Sequence, residues 1–376
     1  MSLSFNVSRD EFLGGLSSLQ NITGKKGTIA ILSNVLIETG INRIVLTATD
    51  LEVGVKIDIP AEIMSEGTIT LPARKLFEIV RESGVDMLHL ELHDNNWVKI
   101  SANSSDYNLA GMSSEDFPAF PEYEEKSLIK IPSDTLKELI DRTIFSVAQE
   151  GESQFNLAGV LVEKEKKEEG SLLRMVSSDG HRLSLMEMDI DTDLDLLNME
   201  NTTLIPRKGV QEIRKFCDTC DEVSLAFEKN QAVIKTENSL LIIRLMNGDF
   251  PDYRNIINII EQDKFIEIDR QTLINSMKRM ILFTEDRFNA VKFHIEKDAL
   301  MLSSESMDIG NAKDIIKIEY ADEIMNLGFN GKYFMDALQV MSSEKIQAYI
   351  NSEESPCLIK GVDDPGYVSV IMPMKI

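Results

Sequence analysis

The feature that most constrains this chain is a plan of elements used three times. A short apolar strand leads into a helix, strands follow, a second helix begins behind another apolar strand, and further strands end the copy. The opening strands read Phe5-Asn6-Val7-Ser8, Ile129-Lys130-Ile131-Pro132-Ser133 and Phe265-Ile266-Glu267-Ile268-Asp269. The strands before the second helix read Thr68-Ile69-Thr70-Leu71-Pro72, Thr203-Leu204-Ile205-Pro206 and Asn326-Leu327-Gly328-Phe329-Asn330. Corresponding elements recur roughly every 125 residues, a period of domain size. The expectation is an α+β chain of three similar domains, at 1–125, 126–250 and 251–376. Phe117-Pro118-Ala119-Phe120-Pro121 with the acidic run Glu122–Glu125 reads as the first linker, and Asn247–Tyr253 as the second.

Within each copy the dominant signal is alternation of period 2, the mark of a strand with one face in a core. Val53, Val55, Ile57 and Ile59 alternate with Glu52, Gly54, Lys56 and Asp58. Hairpins are predicted around Asp94-Asn95-Asn96, Lys229-Asn230 and Lys297-Asp298, and the charged run Glu163–Gly170 reads as a solvated hairpin tip. Helix signals are fewer. Ser8 is expected to cap a helix over Arg9–Ser18, with Glu11 completing a capping box. Pro72 opens Ala73–Ser83, Ser133 caps Asp134–Val147 and Pro206 opens Arg207–Phe216. Asp269 caps Arg270–Phe283, and Asn330 begins a helix reaching Met341.

Charge is distributed unevenly. With 39 Lys+Arg against 63 Asp+Glu, the formal charge is −24, which as a whole repels polyanions. The helical windows are nevertheless net basic, so the excess acid lies outside them. Helices gathered on one side of the sheets would give one electropositive surface suited to sequence-independent phosphate contact. The three cysteines set no disulfide framework and point to a reducing compartment. The start lacks a basic segment followed by an apolar one, and no apolar run approaches the length of a membrane span. The expectation is a cytoplasmic protein with no membrane partner.

Signs of catalysis are absent. No phosphate-binding glycine loop, zinc-protease helix or nucleophile elbow occurs, and no cofactor or metal is expected. Cys217-Asp218-Thr219-Cys220 stands alone, without the further ligands zinc needs, and reads as a helix end. Ser178-Asp179-Gly180-His181-Arg182-Leu183 holds the residue types of a hydrolytic triad. Contiguous residues rarely form one, because a triad is assembled in space. Asp-Gly marks a turn, and a turn presenting His181, Arg182 and Leu183 reads as a binding rim.

Seven segments together identify a family. Ala48–Glu52 (ATDLE), Leu71–Lys75 (LPARK), Asp116–Pro118 (DFP), Ser178–Leu183 (SDGHRL), Ile205–Val210 (IPRKGV), Gly248–Arg254 (GDFPDYR) and Met372–Ile376 (MPMKI) stand in the order found in the bacterial DNA polymerase III β subunit, the sliding clamp. The chain resembles this family over its whole length. The resemblance implies three tandem clamp domains, antiparallel sheets outside, and two helices per domain lining the hole of a head-to-tail dimeric ring. It implies a non-catalytic factor that encircles duplex DNA without sequence specificity and tethers the replicative polymerase. A β-rich interaction scaffold that never encircles DNA is the alternative. Carried over residue by residue, DNA contacts fall on Lys25, Lys26, Arg74, Lys75, Arg207 and Lys208. A peptide cleft falls on Leu157, Gly180, His181, Arg182, Leu183, Pro251, Ile256, Val370, Ile371, Met372, Pro373 and Met374. The dimer contact falls on Tyr107 and Leu109 of one chain against Ile281 and Leu282 of the next. Implied partners are a second copy, the polymerase III alpha subunit, the clamp loader delta subunit, and other polymerases and repair proteins with clamp-binding peptides. Independently of the family, a Met-Pro-Met chain end is soft enough to accept varied apolar side chains.

Overall fold

The computed structural model describes residues 3–23, 29–149, 156–192, 194–197, 199, 203–284 and 288–375. One order of elements occurs three times: strand, helix, four strands, helix, three strands. The first copy comprises β1 (Ser4–Ser8), α1 (Arg9–Leu19), β2 (Asn34–Gly40), β3 (Arg43–Thr49), β4 (Val53–Ser65), β5 (Thr68–Pro72), α2 (Ala73–Glu82), β6 (Met87–Leu92), β7 (Trp97–Ala102) and β8 (Ser105–Ala110). The second comprises β9 (Ile129–Pro132), α3 (Ser133–Asp141), β10 (Gly159–Lys166), β11 (Ser171–Ser178), β12 (Arg182–Ile190), β13 (Thr203–Pro206), α4 (Arg207–Phe216), β14 (Glu222–Glu228), β15 (Gln231–Lys235) and β16 (Ser239–Arg244). A short helix, α5 (Tyr253–Asn258), precedes the third. That copy comprises β17 (Ile266–Asp269), α6 (Arg270–Ile281), β18 (Ala290–Glu296), β19 (Ala299–Ser306), β20 (Gly310–Lys317), β21 (Met325–Asn330), α7 (Gly331–Gln339), β22 (Lys345–Tyr349), β23 (Cys357–Gly361) and β24 (Tyr367–Ile371).

The chain forms two compact units. The first holds 1–133, 196–198 and 215–245, and the second holds 134–195, 199–214 and 246–376. In the first unit a twelve-stranded sheet runs β8-β7-β6-β1-β4-β16-β15-β14-β9, with β2, β3 and β5 attached beside β4. The first and second copies meet inside it at the antiparallel pair β4–β16, in register Leu241 to Val55 and Ile242 to Gly54. In the second unit an eight-stranded sheet runs β13-β10-β11-β12-β24-β23-β22-β17, and a four-stranded sheet runs β20-β19-β18-β21. The second and third copies meet at β12–β24, in register Leu183 to Val370 and Ser184 to Ser369. Alternation places the core as expected: on β4, Val53, Val55, Ile57 and Ile59 are buried while Lys56 and Asp58 are partly exposed. Each such buried side chain contributes about 1.5–3 kcal/mol.

Helices pack in pairs beside these sheets. In the first unit α1 lies against α2, turning Phe12, Leu16, Leu76 and Val80 inward. In the second unit α6 lies against α7, and Phe334 of α7 joins Phe293 and Phe329 in an aromatic cluster with centroids 5.1–5.2 Å apart. Asp269 caps its helix as expected, accepting from the Thr272 N–H; Asn330, expected to begin a helix reaching Met341, caps α7 from outside by accepting from the Lys332 N–H, and that helix ends at Gln339. Cys217-Asp218-Thr219-Cys220 does follow the end of α4.

Three further local expectations differ. Ser8 precedes α1 but its side chain accepts no capping bond, so the Ser8–Glu11 capping box does not form. The helix after Ser133 ends at Asp141 rather than Val147, and Ser133 is its first residue rather than its cap. The Thr143 hydroxyl donates to the Leu139 carbonyl at 2.7 Å, and a 3-10 turn follows at Ile144–Ser146. The second linker is not all loop, because Asp252 accepts from the Asn255 N–H and starts α5.

A buried ion pair also joins the second and third copies. Arg142 Nη1 lies 2.8 Å from Asp364 Oδ1, and the Asp364 side chain is fully buried. Burial alone would raise the Asp364 pKa. The Ser343 side chain, the N–H groups of Ser342 and Ser343, and Arg142 outweigh it and hold the carboxyl below its usual range. The folded value lies below the unfolded one, so this stabilisation is complete above the unfolded pKa of about 3.9 and is lost as pH falls through the folded value. Arg142→Ala leaves a buried carboxylate without its countercharge. It is expected to lower the unfolding free energy by about 3 kcal/mol at neutral pH, read from equilibrium urea unfolding of the full chain.

Candidate functional site

The turn between β11 and β12 builds the site. Asp179 Oδ1 accepts from the N–H groups of His181 (2.9 Å) and Arg182 (3.0 Å), while Ser178 Oγ accepts from the Gly180 N–H at 3.1 Å. Gly180 has φ 87°, a conformation glycine adopts without the cost of a Cβ. These bonds push His181 into solvent and aim its carbonyl at the chain end, where it accepts the Met372 N–H at 2.9 Å. The strand β24 thus continues past Ile371 as an ordered tail. The Met374 N–H donates to the Gly328 carbonyl at 2.7 Å, so the apolar end is held rather than frayed.

Arg182 is fixed on every side. Its Nε donates to Asp179 Oδ2 (3.0 Å), one Nη to Asp336 Oδ2 (2.5 Å) and the other to the Phe145 carbonyl (2.6 Å). Its guanidinium also lies 4.4 Å from the Tyr333 ring centroid and 5.4 Å from that of Phe145. Arg182 therefore acts as a post that sets the turn and the Tyr333 ring. Phe145, Tyr333 and Asp336 escaped the sequence reading because they come from the turn after α3 and from α7, far from the SDGHRL segment.

The second unit brings most of the expected cleft residues together. Leu183 pairs with Val370 and Arg182 with Ile371 across β12–β24. Ile256 of α5 packs on the cluster that contains Leu183, Val370, Leu161 and Tyr253. A Cβ on Gly180 would stand 4.0 Å from Leu157 Cδ1. The expectation of a rim is corrected in one respect. Leu157, Leu183, Val370 and Ile371 are buried; Leu183 and Val370, paired across β12–β24, face the core on which Ile256 packs and form a floor, while Ile371, the next residue along β24, turns to the opposite face. Gly180, His181 and Met372 are exposed, and Pro251, Ile256, Pro373 and Met374 are half-buried around that floor. The tail residues Met372–Lys375 also border a groove of about 870 Å³ with Lys292, His294, Asn326 and Glu353 on its lining. Tyr253 anchors α5, with its hydroxyl 2.5 Å from Glu163 Oε2; burial first and then that hydrogen bond push its pKa up.

The expected DNA contacts fall on other elements, α2 and α4. Arg74 and Lys75 occupy the first turn of α2, both exposed, at 3.3 and 2.6 Å from Glu78. Cations at a helix N-terminus oppose the helix dipole, so the dipole and the side chains add to one positive potential there. The hydrogen bond and charge of Lys75 lead the effects that hold the Glu78 carboxyl below its usual value. Arg207 opens α4 and donates to the Val147 carbonyl at 3.2 Å, with Lys208 half-buried beside it in sequence. Lys25 and Lys26 lie outside the described residues. Of the expected dimer residues, Tyr107 is half-buried and Leu109 buried on β8; Ile281 is half-buried at the end of α6, and Leu282 is 69% exposed. Among the described residues no group of His, Cys, Asp and Glu could hold a metal ion, and no helix is long and apolar enough to cross a membrane.

Removing the Arg182 post leaves Asp179 and Asp336 without their cation. Arg182→Ala is expected to cost on the order of 2 kcal/mol of stability, and to speed amide hydrogen exchange at Met372, whose N–H bond depends on the turn. Unchanged exchange at Met372 would show that the tail holds without Arg182.

Comparison with known proteins agrees with this architecture. Residues 3–121, 130–252 and 260–375 match the N-terminal, central and C-terminal domains of the DNA polymerase III beta subunit. The beta sliding clamp of Chlamydia pneumoniae is 29% identical over 374 residues, covering 100% of this chain and 99% of that one. The beta sliding clamp of Haemophilus influenzae is 27% identical over 376 residues, covering 100% of both. A C. crescentus beta sliding clamp superimposes with a TM-score of 0.92 at 27% identity, and a Bartonella birtlesii sliding clamp bound to griselimycin does so with the same score and identity, each covering 100% of both chains. Three domains matched in order, and relatives alike from end to end, place the chain in the DNA polymerase III beta subunit family: it is a DNA sliding clamp, a processivity factor without catalytic activity of its own.

Proposed function

We propose that two copies of the chain close head to tail into a ring around duplex DNA, through β8 of one copy and β20 of the other at each joint. One observation carries this reading. The fourth strand of a copy and the eighth strand of the next are joined at β4–β16 and again at β12–β24. The members left over are β8 and β20, and each pairs along one side only among the described residues. Unpaired edges of this kind template further pairing. A heterologous contact that closes with two copies pairs β8 with β20 at both joints, so neither of these two strands keeps an open edge.

The repeat also supplies a register. Tyr107, Leu241 and Ser369 hold the same place in their hairpins, as do Val55, Ser184 and Asn311 in theirs. Leu241 opposes Val55 and Ser369 opposes Ser184, so Tyr107 of one copy opposes Asn311 of the other. The chemistry near β20 supports a buried joint. Leu282 is 69% exposed, Met307 fully exposed and Ile309 62% exposed, a concentration of apolar surface that would otherwise face water.

In this reading the domains span 1–125, 126–250 and 251–376, and the helices face the DNA. Arg74, Lys75, Arg207 and Lys208, with Lys25 and Lys26, supply phosphate contacts weak enough for sliding, while encirclement supplies retention. The cleft around Gly180, His181, Met372 and Met374 docks peptides of the polymerase III alpha subunit, the clamp loader delta subunit and other polymerases and repair proteins, in the cytoplasm. Its buried floor gives a peptide an apolar anchor point, and its methionines adapt to different side chains.

The test fixes the joint and then asks what the closed ring holds. Tyr107→Cys and Asn311→Cys are introduced with Cys220→Ser, and the protein is loaded onto nicked circular DNA with a clamp loader and ATP. A short bis-maleimide then seals both joints. Crosslinked dimer is expected to stay on the circle in denaturant and to leave once the circle is cut. Crosslinking between other positions only would refute the register, and loss from the intact circle would refute encirclement. Independently, Leu282→Asp is expected to convert the dimer to monomer by light scattering, and an unchanged mass would remove Leu282 from the joint.

A further inference from the structure

We propose that the joint between the first and second copies carries a second docking notch, for an extended peptide with a carboxylate next to a large apolar side chain. The inference rests on reading the turn at Ser178–Leu183 as part of a peptide cleft. The turn between β3 and β4 repeats the three bonds by which side chains of that turn hold its N–H groups. Asp50 Oδ1 accepts from the N–H groups of Glu52 (3.0 Å) and Val53 (2.7 Å), and Thr49 Oγ1 accepts from the Leu51 N–H (3.0 Å). The Glu52 carbonyl accepts the Arg244 N–H at 2.8 Å, as the His181 carbonyl accepts that of Met372. In sequence Phe117-Pro118-Ala119-Phe120 matches Phe250-Pro251-Asp252-Tyr253, and Phe120 packs on the cluster that contains Ile242 as Tyr253 packs with Val370.

What differs is the chemistry on this shared frame. The place of Gly180 is taken by Leu51, which has φ 76° and is 52% exposed. A leucine there bears backbone strain, although glycine satisfies the same turn in the other joint without it. The place of Leu183 is taken by Gly54, and the Phe120 ring moves into the space, 3.0 Å from where a Cβ would lie. Leu51, Gly54, Phe120 and Ile242 thus line one side of a notch of about 330 Å³, room for one large side chain but not for a helix. Arg244 lines it too, exposed, and its guanidinium has no ionic or hydrogen-bonding partner among the described residues. On a chain of charge −24, with acid available nearly everywhere, an unpaired arginine beside an apolar notch is complementary to a carboxylate brought by a partner. The Glu52 carboxylate in the same lining can accept the N–H groups of an extended backbone.

The probe is the dipeptide acetyl-Leu-Phe with a free carboxylate, compared with its amide, titrated into methyl-labelled full-length protein. Leu51 and Ile242 report the notch, and Leu183 and Ile256 report the cleft. Saturable shifts at Leu51 and Ile242 are expected, weakened at least about fivefold by amidation or by Arg244→Ala. Leu51→Gly is expected to abolish the Ile242 shift while leaving the melting temperature no lower than that of the parent. Shifts at Leu183 with none at Leu51 would overturn the notch alone, and silence at both would overturn the notch together with the cleft on which it rests. A fall in melting temperature in Leu51→Gly would make Leu51 part of the protein's own packing and also overturn the notch.

Discussion

The structure depends on strand pairing across the boundaries between copies. A clamp domain with its fourth and eighth strands unpaired exposes two rows of N–H and C=O groups, each able to recruit another chain. At β4–β16 and β12–β24 the chain satisfies those rows internally, with several ladder bonds at each joint and buried aliphatic residues on both strands. The linkers then have little to hold together. Their role is to shape the ends of the joints, and this is where the turns at Asp50 and Asp179 and the ordered tail at Met372 gather. A binding site at a joint is thus built on rigid strands, with exposed turns and chain ends as the variable part.

The same economy explains how a protein of charge −24 serves as a DNA sliding clamp. Retention by encirclement does not require high affinity, and a strongly basic surface would slow sliding by binding phosphate too well. Arg74 and Lys75 are exposed at a helix N-terminus, yet Glu78 stands beside both and tempers their field.

Much of the fold was legible because local signals agreed with one another. Alternation along Val53–Ile59, helix starts at Asp269 and Asn330 and the hairpin turn at Lys297-Asp298 all rest on nearest-neighbour physics. The failures share a cause as well. Helicity past Asp141 looked continuous from apolar spacing alone, but Arg142 is drawn to Asp364 in the third copy and the chain turns away. The helix at Tyr253–Asn258 sits in what reads as a linker, fixed by the Asp252 cap and by a tyrosine whose partner, Glu163, is ninety positions earlier. In the cleft, residue identities were readable from the SDGHRL and MPMKI segments. Their exposure was not, since Leu183 and Val370 face the core only because β12 and β24 pair in one particular register.

By itself the sequence determined the threefold plan, the α+β class and the absence of catalytic signatures, and it singled out the two segments, SDGHRL and MPMKI, that the fold brings side by side. These are encoded in periodicity and short motifs, which act over a few residues. Tertiary structure alone decided which of the expected cleft residues are buried and which exposed, and that Tyr333, Asp336 and Phe145 fix Arg182. It also decided that the turn at Asp50 is a counterpart of the turn at Asp179. Those outcomes turn on which strand lies beside which and in what register. A one-residue slip would exchange every inward side chain for an outward one while leaving the local sequence pattern unchanged.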